Sequence, residues 1–501
     1  MVLSHASLSP PYPTLGSIGT VRYNPPMTST KYHQVTPAIV EELRQIVGPR
    51  YVIFDNADAL EPFSHDEIPD RHYAHMPEVV VRPRSADEIA SIMKLANREM
   101  VPVTPRGAGS GLSGGAVPVS GGIVLFVDRM NSIIEVDENN LMAVVEPGVV
   151  TAEINEVLAP KGLFYAGYPM SRETCYIGGN VAENAGGGKA VKYGVTGRYV
   201  VGMEMVTPTG DIIRLGGKLV KDVTGYNLIQ LMVGSEGTLG VFTQITLKLM
   251  PLPKSSVDLL VLFTSTDDAI AAVPRIMTES GLIPTAIEFM DRASVHTACS
   301  YLNETLPYEQ CGAMLLITVD GAAPSQVERE YEAIGELCLA AGAIEVYVAD
   351  NATTSERVWK VRANIPEAYS VISPQQANED LVVPIAAIPQ LVAGMETLAA
   401  RHGVNIPAYG HAGDGNIHTR IVKDPDWSVE RWQETLPLVQ QDLYELTAGL
   451  GGRISGEHGI GHKRKKYMST FVTEEYLDIC RAIKRSLDPN NILNPGKIFD
   501  L

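Results

Sequence analysis

The chain has 501 residues, a formal net charge of −18 and 45% hydrophobic residues. This length exceeds what one hydrophobic core usually supports, so we expect at least two domains. The acidic balance argues against a nucleic-acid partner and a basic membrane-docking face. The sequence has no run of 18 apolar residues and no secretory-signal pattern, so we expect neither a transmembrane segment nor export. Residues 1–32, rich in Ser, Pro and Thr, are predicted to form a loose tail.

The five cysteines are scattered along the chain, and none has the CxxC spacing of a redox or metal motif. They are Cys175, Cys299, Cys311, Cys338 and Cys480. This distribution argues against a disulfide framework and against an iron–sulfur cluster held within this chain. A reducing, cytoplasmic setting is therefore the expectation.

The first half of the chain alternates short strands and helices. Apolar spacing predicts helices over residues 37–47, 87–100 and 149–158, and strands over residues 77–81, 101–104, 117–119, 122–127, 133–137, 141–147, 201–206, 211–214 and 241–250. Ser85 or Asp87 is the predicted cap of the second helix. A proline-rich segment at residues 251–253 indicates a domain boundary.

Three glycine-rich polar loops interrupt this first half. Residues 105–115 read PRGAGSGLSGG, and further loops lie at residues 168–180, followed by Gly186–Gly188, and at residues 233–240. The first is not a Walker loop, and it is not a clean dinucleotide fingerprint because no helix is predicted after it. One such loop alone is compatible with a flexible surface segment. Three in this order favour one long anionic ligand of dinucleotide size, held by backbone N–H groups and by hydroxyls of Ser110, Ser113, Ser171, Thr174, Ser235 and Thr238.

The second half shows longer strands and helices. Strands are predicted over residues 257–263, 285–290, 313–320, 344–349 and 382–386, and helices over residues 267–280, 324–341, 356–369, 388–401, 427–450 and 474–487. The helix over residues 356–369 is expected to end or kink near Pro366. The alternation predicts a ferredoxin-like sheet with helices on one face.

Two short motifs in this half carry histidines. Residues 410–418 read GHAGDGNIH, in which a turn at residues 413–416 would bring His411 and His418 together. Residues 455–461 read SGEHGIG and add Glu457 and His458. Two imidazoles and one carboxylate are a typical ligand set for a metal such as zinc, and an adjacent free imidazole is a natural base. Either motif alone is also typical of loop histidines with no metal. A further histidine, at position 462, is interpreted as a neighbour of the ligands or as a surface residue.

Six motifs taken together resemble a known flavoprotein family. PRGAGSGLSGG, PMSRETCYIGGNVAENAGG and KDVTGYNLIQLMVGSEGTLGV resemble the FAD domain of vanillyl-alcohol-oxidase-type flavoproteins, and GHAGDGNIH, SGEHGIG and DPNNILNPGK resemble their D-2-hydroxyacid dehydrogenase branch. The similarity covers roughly residues 40–499. It implies an α+β fold: an FAD-binding domain of the p-cresol-methylhydroxylase (PCMH) type with two subdomains over residues 33–253, a ferredoxin-like substrate or cap domain over residues 254–455, and a C-terminal helical segment, residues 456–501, that returns to the FAD domain.

The resemblance also implies which residues bind FAD. The pyrophosphate would be held by Pro105, Arg106, Gly107, Ala108, Gly109, Ser110, Gly111, Ser113 and Gly114. The phosphates and ring would lie near Pro169, Ser171, Thr174, Gly178, Gly179 and Asn180. The adenine or ribose end would contact Glu236, Gly237, Thr238, Gly240 and Val241, and Asn494 would lie near the isoalloxazine. Relatives with covalent FAD often use a histidine in the first loop; this loop has none, so we expect dissociable FAD.

By the same resemblance, His411, His418 and Glu457 would bind a divalent metal, expected to be Zn²⁺ with Mn²⁺ or Fe²⁺ as alternatives. His458 would be the base, and Arg362 would bind the substrate carboxylate with its planar guanidinium. Enzymes for 2-hydroxyglutarate carry a threonine where this chain has Pro366 and a lysine near the position of Asn378, so a dicarboxylate substrate is not expected. Arg420, two residues after His418, would either add a second positive group to the pocket or lie on the surface.

The function implied is oxidation of glycolate or D-lactate, with electrons passing to an iron–sulfur partner subunit or a quinone. Two alternatives stay open: a non-redox flavin transferase of the same superfamily, and a subunit whose flavin is only structural. A 2-hydroxyglutarate dehydrogenase is a further alternative within the branch. The expected location is cytoplasmic, or peripheral to the inner membrane through a partner. The oligomeric state is open, with a homodimer among the options.

Overall fold

The computed structural model describes residues 31–69 and 71–501. The tail predicted over residues 1–32 therefore lies, except for its last two residues, outside the described part of the chain.

A four-stranded mixed sheet organises the N-terminal part. Its elements are α1 (Pro37–Val47), β1 (Val52–Phe54), α2 (Ala57–Leu60), β2 (Val79–Val81), α3 (Ala86–Glu99), β3 (Val103–Arg106) and β4 (Ile123–Phe126). The strand order is β1-β2-β4-β3, with β1 antiparallel to β2 and the others parallel. Ser85, one of the two predicted caps, accepts a hydrogen bond from the Glu88 N–H at 3.2 Å at the start of α3. The strand predicted over residues 117–119 is wrong: this segment forms turns around Pro118, which has no N–H for a sheet.

A five-stranded antiparallel sheet follows. Its region contains β5 (Ile133–Asp137), β6 (Met142–Val145), α4 (Thr151–Leu158), β7 (Leu163–Phe164), α5 (Ile177–Glu183), α6 (Ala190–Tyr193), β8 (Val200–Val206), β9 (Ile212–Gly216), α7 (Leu228–Met232), β10 (Val241–Lys248) and β11 (Met250–Pro251). The order is β5-β6-β10-β8-β9, and β7 pairs separately with β11. The second glycine loop leads into α5 and the third leads into β10.

A seven-stranded antiparallel sheet forms the remaining large unit. Its elements are β12 (Ser255–Phe263), α8 (Thr266–Ser280), β13 (Ala286–Asp291), α9 (Arg292–Leu302), β14 (Ala313–Gly321), α10 (Pro324–Ala340), β15 (Glu345–Ala349), α11 (Ala352–Ala363), α12 (Ile365–Ile372), β16 (Gln376–Val382), α13 (Ile388–His402), β17 (Ala408–His411), β18 (Asn416–Val422) and α14 (Val429–Gly449). The order is β15-β12-β14-β13-β17-β18-β16. Its first four strands, fourth-first-third-second in chain order, have the ferredoxin-like arrangement predicted from the sequence.

The prediction that helices cover one face of this sheet is wrong, because helices cover both. On β14, Leu315 and Ile317 point into a core with α8, α10 and α13, whereas Met314 and Leu316 point into a second core with α9, α11 and α12. Residues that alternate along a strand point to opposite faces. A strand that is apolar at every position therefore needs a covering layer on each side.

Two further boundaries differ from the predictions. The helix expected over residues 356–369 is two helices, and Pro366 lies in the first turn of α12, where a missing N–H costs nothing. The strand expected over residues 382–386 lies earlier, over Gln376–Val382, because its buried residues are mostly polar and hydropathy does not distinguish it from a loop.

The C-terminal segment contains α15 (Met468–Phe471) and α16 (Glu474–Leu487) and ends against the first sheet. Ile492 and Leu493 are buried in the core beneath that sheet, and the Asn494 N–H donates to the Val103 carbonyl at 2.7 Å. Among the described residues, no helix combines the length and the apolar character that crossing a membrane requires.

Candidate functional site

The hairpin of β17 and β18 brings the two motif histidines together. The strands are joined by residues 412–415, with His411 opposite Asn416 and His418 opposite Tyr409. Opposite residues of an antiparallel pair project to the same face, so both imidazoles lie on the side of the sheet that faces α11 and α12. Their Nε2 atoms are 3.2 Å apart, and both side chains are buried.

Glu457 completes a three-residue cluster with these imidazoles. Its Oε1 lies 3.6 Å from His411 Nε2 and 3.4 Å from His418 Nε2. Nitrogen and carboxylate ligands about 2.0–2.2 Å from a tetrahedral ion are spaced about 3.3–3.6 Å from one another. The three donor atoms therefore fit one divalent cation without rearrangement.

A buried glutamate on β13 contacts His411 at Nδ1, the ring nitrogen that does not face Glu457. Glu288 Oε1 lies 2.6 Å from His411 Nδ1, and its other oxygen accepts from Arg362 Nε at 2.8 Å. Burial raises the pKa of Glu288, but the His411 and Arg362 charges outweigh it and hold that pKa at about 2. A carboxylate on the distal nitrogen of a ligating imidazole fixes its tautomer and orientation.

Asp380 on β16 holds the SGEHG segment in place. Its Oδ2 accepts from the backbone N–H groups of Gly456, Glu457 and His458 at 3.0, 2.8 and 2.8 Å, and from Ser455 Oγ at 2.7 Å. Its Oδ1 lies 3.4 Å from Nδ1 of His418. Burial raises the pKa of Asp380, but the neighbouring imidazoles have the larger, opposite effect and hold that pKa well below its usual range.

His458 stacks on His418, with ring centroids 5.2 Å apart and planes at 11°. Its Nε2 lies 3.8 Å from Glu457 Oε1, and burial lowers its pKa to about 4. A neutral imidazole beside the cluster is able to accept a proton. By contrast, His462 lies away from the cluster, against the rings of Tyr73 and His75.

A cavity of 1070 Å³ connects this cluster with the glycine loops. Its walls include His418, Glu457, His458, Arg362 and Arg420. Of the predicted FAD residues, it is lined by Pro105, Arg106, Gly107, Ala108, Gly109, Ser110, Gly111, Pro169, Ser171, Thr174, Gly178, Gly179, Asn180, Glu236, Gly237, Gly240 and Val241. The three loops, distant in sequence, therefore border one space.

Four predicted cofactor residues lie behind this wall instead. Ser113 Oγ donates to Glu183 Oε1 at 3.4 Å, and the Gly114 N–H donates to Asp66 Oδ2 at 2.7 Å. Thr238 Oγ1 donates to the Ser235 carbonyl at 2.7 Å. Asn494 Nδ2 donates to the carbonyls of Gly115 and Glu236, at 2.9 and 2.8 Å, and so joins the first loop to the third. These residues hold the shape of the loops.

The glycines of the loops leave room for a cofactor. A Cβ at Gly179 would have no protein atom within 4 Å, so its position faces open cavity. A Cβ at Gly178 would lie 2.6 Å from Pro147 Cβ, so this residue packs against protein. Gly107 lies against the backbone of Gly179, with 3.7 Å from its ideal Cβ to the Gly179 nitrogen. Two backbone segments thus lie in contact with each other at the cavity wall.

Comparison with known proteins identifies the family. Residues 252–498 match the C-terminal domain of FAD linked oxidases, and residues 77–216 match an FAD binding domain. The chain is 39% identical over 468 residues to the glycolate oxidase subunit GlcD of Bacillus subtilis, covering 93% of this chain and 97% of that protein. The chain belongs to the FAD-linked oxidase family.

This FAD-linked oxidase is also 37% identical over 477 residues to a D-lactate dehydrogenase of Anaerostipes hadrus, covering 94% of this chain and 99% of the relative. Its fold is similar to that of p-cresol methylhydroxylase, with a TM-score of 0.75 and 18% identity over 92% of this chain and 96% of that one. The predicted α+β fold and the FAD cofactor are thereby confirmed, and the protein is an FAD-dependent oxidoreductase.

Glu288 and Asp380 are the site residues that the sequence did not reveal. Both are fully buried, on strands otherwise shielded from solvent. Glu288 interrupts the apolar run AIEFM, and an isolated carboxylate at such a position is a usable signal because buried charges are normally paired. Asp380 carried no such signal, since it lies within the polar segment QANED.

Proposed function

We propose that this FAD-linked oxidase converts a small D-2-hydroxy acid, glycolate or D-lactate, into the corresponding 2-oxo acid. The supporting observation is the single cavity bordered by the FAD loops on one side and by the His–His–Glu cluster on the other. Relatives named after glycolate oxidation and D-lactate dehydrogenation support the same substrate class.

The cluster of His411, His418 and Glu457 would hold a divalent cation, Zn²⁺ by its ligand chemistry, with Mn²⁺ or Fe²⁺ as alternatives. Such a cation supplies positive charge that lowers the pKa of a substrate hydroxyl. Glu288 and Asp380 keep the two imidazoles oriented toward one point.

His458 would accept the hydroxyl proton. Its burial keeps the ring neutral near neutral pH, and it lies on the cavity wall beside Glu457. FAD, which the three glycine-rich loops would hold, would supply an acceptor for the hydride of the substrate Cα. Loss of one proton and one hydride would convert the alcohol to a carbonyl.

The first loop has no histidine for a covalent link, so the proposal includes dissociable FAD. It also includes an electron acceptor outside this chain, an iron–sulfur subunit or a quinone, because the relative from Bacillus subtilis is named as a subunit. A cytoplasmic location, or attachment to a membrane through that partner, belongs to the same proposal, as does a homodimer among the possible assemblies.

This function is tested by mixing the FAD-loaded protein anaerobically with both enantiomers of several 2-hydroxy acids, with and without a chelator, and following the flavin absorbance. We expect glycolate or D-lactate to bleach the flavin absorbance, and the chelator to prevent bleaching without releasing FAD. Glu457→Gln and His458→Ala should each reduce the rate by at least about a hundredfold, the scale of acid–base catalysis.

His462→Ala is the matched control, since this histidine is in the same segment but lies outside the cluster. It should bleach at the wild-type rate. Near wild-type bleaching in both Glu457→Gln and His458→Ala would refute the proposed chemistry. Absence of bleaching in the wild type with every 2-hydroxy acid would instead favour the non-redox transferase.

A further inference from the structure

Arg420 places a buried guanidinium on the cavity wall. Strand β18 alternates: Ile417 and Ile421 enter the core, while His418 and Arg420 point to the opposite face. Arg420 is only 9% exposed, it lines the cavity, and its Nε has no hydrogen-bond partner in the part of the chain that the structure describes.

Two buried carboxylates of the same sheet are paired with other cations. Glu379 lies 3.2 Å from Lys463 Nζ and 3.5 Å from Arg464 Nε. Glu288 lies 2.7 Å from Arg362. Among the described residues, no carboxylate forms an ion pair with Arg420.

A second candidate hydrogen-bond donor lies on the neighbouring strand. Asn378 on β16 is the register partner of Arg420 on β18, and it also lines the cavity. Its Nδ2 is buried and has no hydrogen-bond partner within residues 31–69 and 71–501. Cross-strand partners have Cβ atoms about 4.5–5.5 Å apart, so both side chains can reach one small anion. Arg420 and His418, two positions apart on one strand, have Cα atoms about 7 Å apart, within reach of an arginine side chain.

A buried charge is normally paired, because leaving it unpaired in the interior is costly. We propose that Arg420, assisted by Asn378, binds the carboxylate of the 2-hydroxy acid whose hydroxyl lies at the His411–His418–Glu457 cluster. This inference rests on the proposed function. Arg362 then has a different role, because its charge is taken up by Glu288 and it positions the carboxylate that orients His411.

The test combines Arg420 variants with a substrate that lacks the charge. Anaerobic flavin reduction is measured for FAD-loaded wild type, Arg420→Gln and Arg420→Lys with D-lactate and with D-lactamide, and metal content is measured for each. Arg420→Gln should raise the apparent Kd for D-lactate by about 10–100-fold, the size of one charge-assisted hydrogen-bond pair, with little change for D-lactamide. Arg420→Lys should give an intermediate Kd.

Chemical rescue distinguishes direct contact from a structural role. Guanidinium ion at millimolar concentration should restore D-lactate reduction in Arg420→Ala but not in the cavity variant Glu457→Gln, at matched ionic strength. Arg357→Ala is the control, since Arg357 lies on α11 but pairs with Glu304 at the surface. It should retain wild-type Kd values for both compounds.

An equal loss for D-lactate and D-lactamide in Arg420→Gln, or an unchanged Kd for both, would overturn the assignment. Calorimetric binding of propionate, a monocarboxylate without a hydroxyl, separates this inference from the function proposed above. Arg420-dependent propionate binding in a protein whose flavin is reduced by no 2-hydroxy acid would refute the function alone. Normal flavin reduction with no dependence on Arg420 would refute only the carboxylate site.

Discussion

The two walls of the cavity are built by opposite means. The backbone wall consists of the glycine-rich loops, in which backbone groups border the cavity, and Gly179 keeps part of that space free of side chains. The opposite wall consists of strands whose buried charged side chains, Glu288 and Asp380 among them, hold one another in place. The first wall should therefore be sensitive to added atoms, and the second to removed charges.

Asp380→Ala should break the side-chain wall and leave the backbone wall intact. The change removes the acceptor of three backbone N–H groups. It also removes the carboxylate that lies 3.4 Å from the His418 imidazole. Losing such an orienting carboxylate typically weakens metal binding by about 10–100-fold. We expect a metal affinity lower by that factor and a loss of flavin reduction at least as large, with FAD still bound. Metal titration and anaerobic flavin reduction measure the two effects.

Asp258→Ala is the matched control for this prediction. Asp258 is also a buried carboxylate of the seven-stranded sheet, but it accepts hydrogen bonds from Thr318 and Ser355 on β14 and α11, outside the cavity. It should lower thermal stability and leave metal affinity unchanged. Equal metal loss in both variants would mean that the sheet as a whole, and not Asp380, supports the cluster.

The same contrast explains what the sequence allowed. Glycine clusters are visible in sequence, and the first, second and third loops do border one cavity. The histidine hairpin was also predictable, because the turn predicted at residues 413–416 joins two paired strands and brings His411 and His418 to the same face of the sheet. The partners of the supporting carboxylates were not predictable, since Glu288 is 123 residues from its histidine in the chain. Only the sheet order, with β13 beside β17, brings them together.

Helix and strand boundaries followed a similar rule. Strong apolar periodicity placed most elements, but β16 was misplaced because Asn378, Glu379 and Asp380 are buried polar residues in a strand. Their burial depends on partners from distant segments, such as Lys463 and Arg464. Local pattern carries no information about such pairs. Polar strands are therefore the places where sequence reasoning fails and where this site is located.

Gly179→Val should break the backbone wall and leave the side-chain wall intact. Its new atoms would occupy cavity rather than protein, since a Cβ there meets no atom within 4 Å. Filling space that the cofactor needs costs about 1–3 kcal/mol, equivalent to about 10–100-fold in FAD affinity. We expect that loss in a fluorescence titration with FAD, with unchanged stability of the FAD-free protein and unchanged metal affinity.

Gly178→Ala is the comparison, because its Cβ would lie 2.6 Å from Pro147 Cβ and 2.9 Å from the Pro147 carbonyl. It should lower the stability of the FAD-free protein, which Gly179→Val should not. Wild-type FAD affinity in Gly179→Val would mean that the cofactor lies in another part of the cavity.

Tyr444→Phe should have the smallest effect on stability. It measures how far the side-chain wall depends on any one hydrogen bond. Tyr444 OH donates to Glu379 Oε2 at 2.5 Å, while Gln440 and the two cations keep the same carboxylate satisfied. Because those partners remain, we expect a loss of about 1–2 kcal/mol in the free energy of unfolding and unchanged flavin reduction.

Tyr467→Phe is the comparison, because the Tyr467 hydroxyl donates at 3.2 Å to the neutral amide of Gln440. This variant should lose less stability, about 0.5–1 kcal/mol. Denaturant unfolding of the FAD-loaded variants gives both values. A larger loss in Tyr467→Phe than in Tyr444→Phe would show that the hydrogen bond to the neutral amide of Gln440 contributes more to stability than the one to the Glu379 carboxylate.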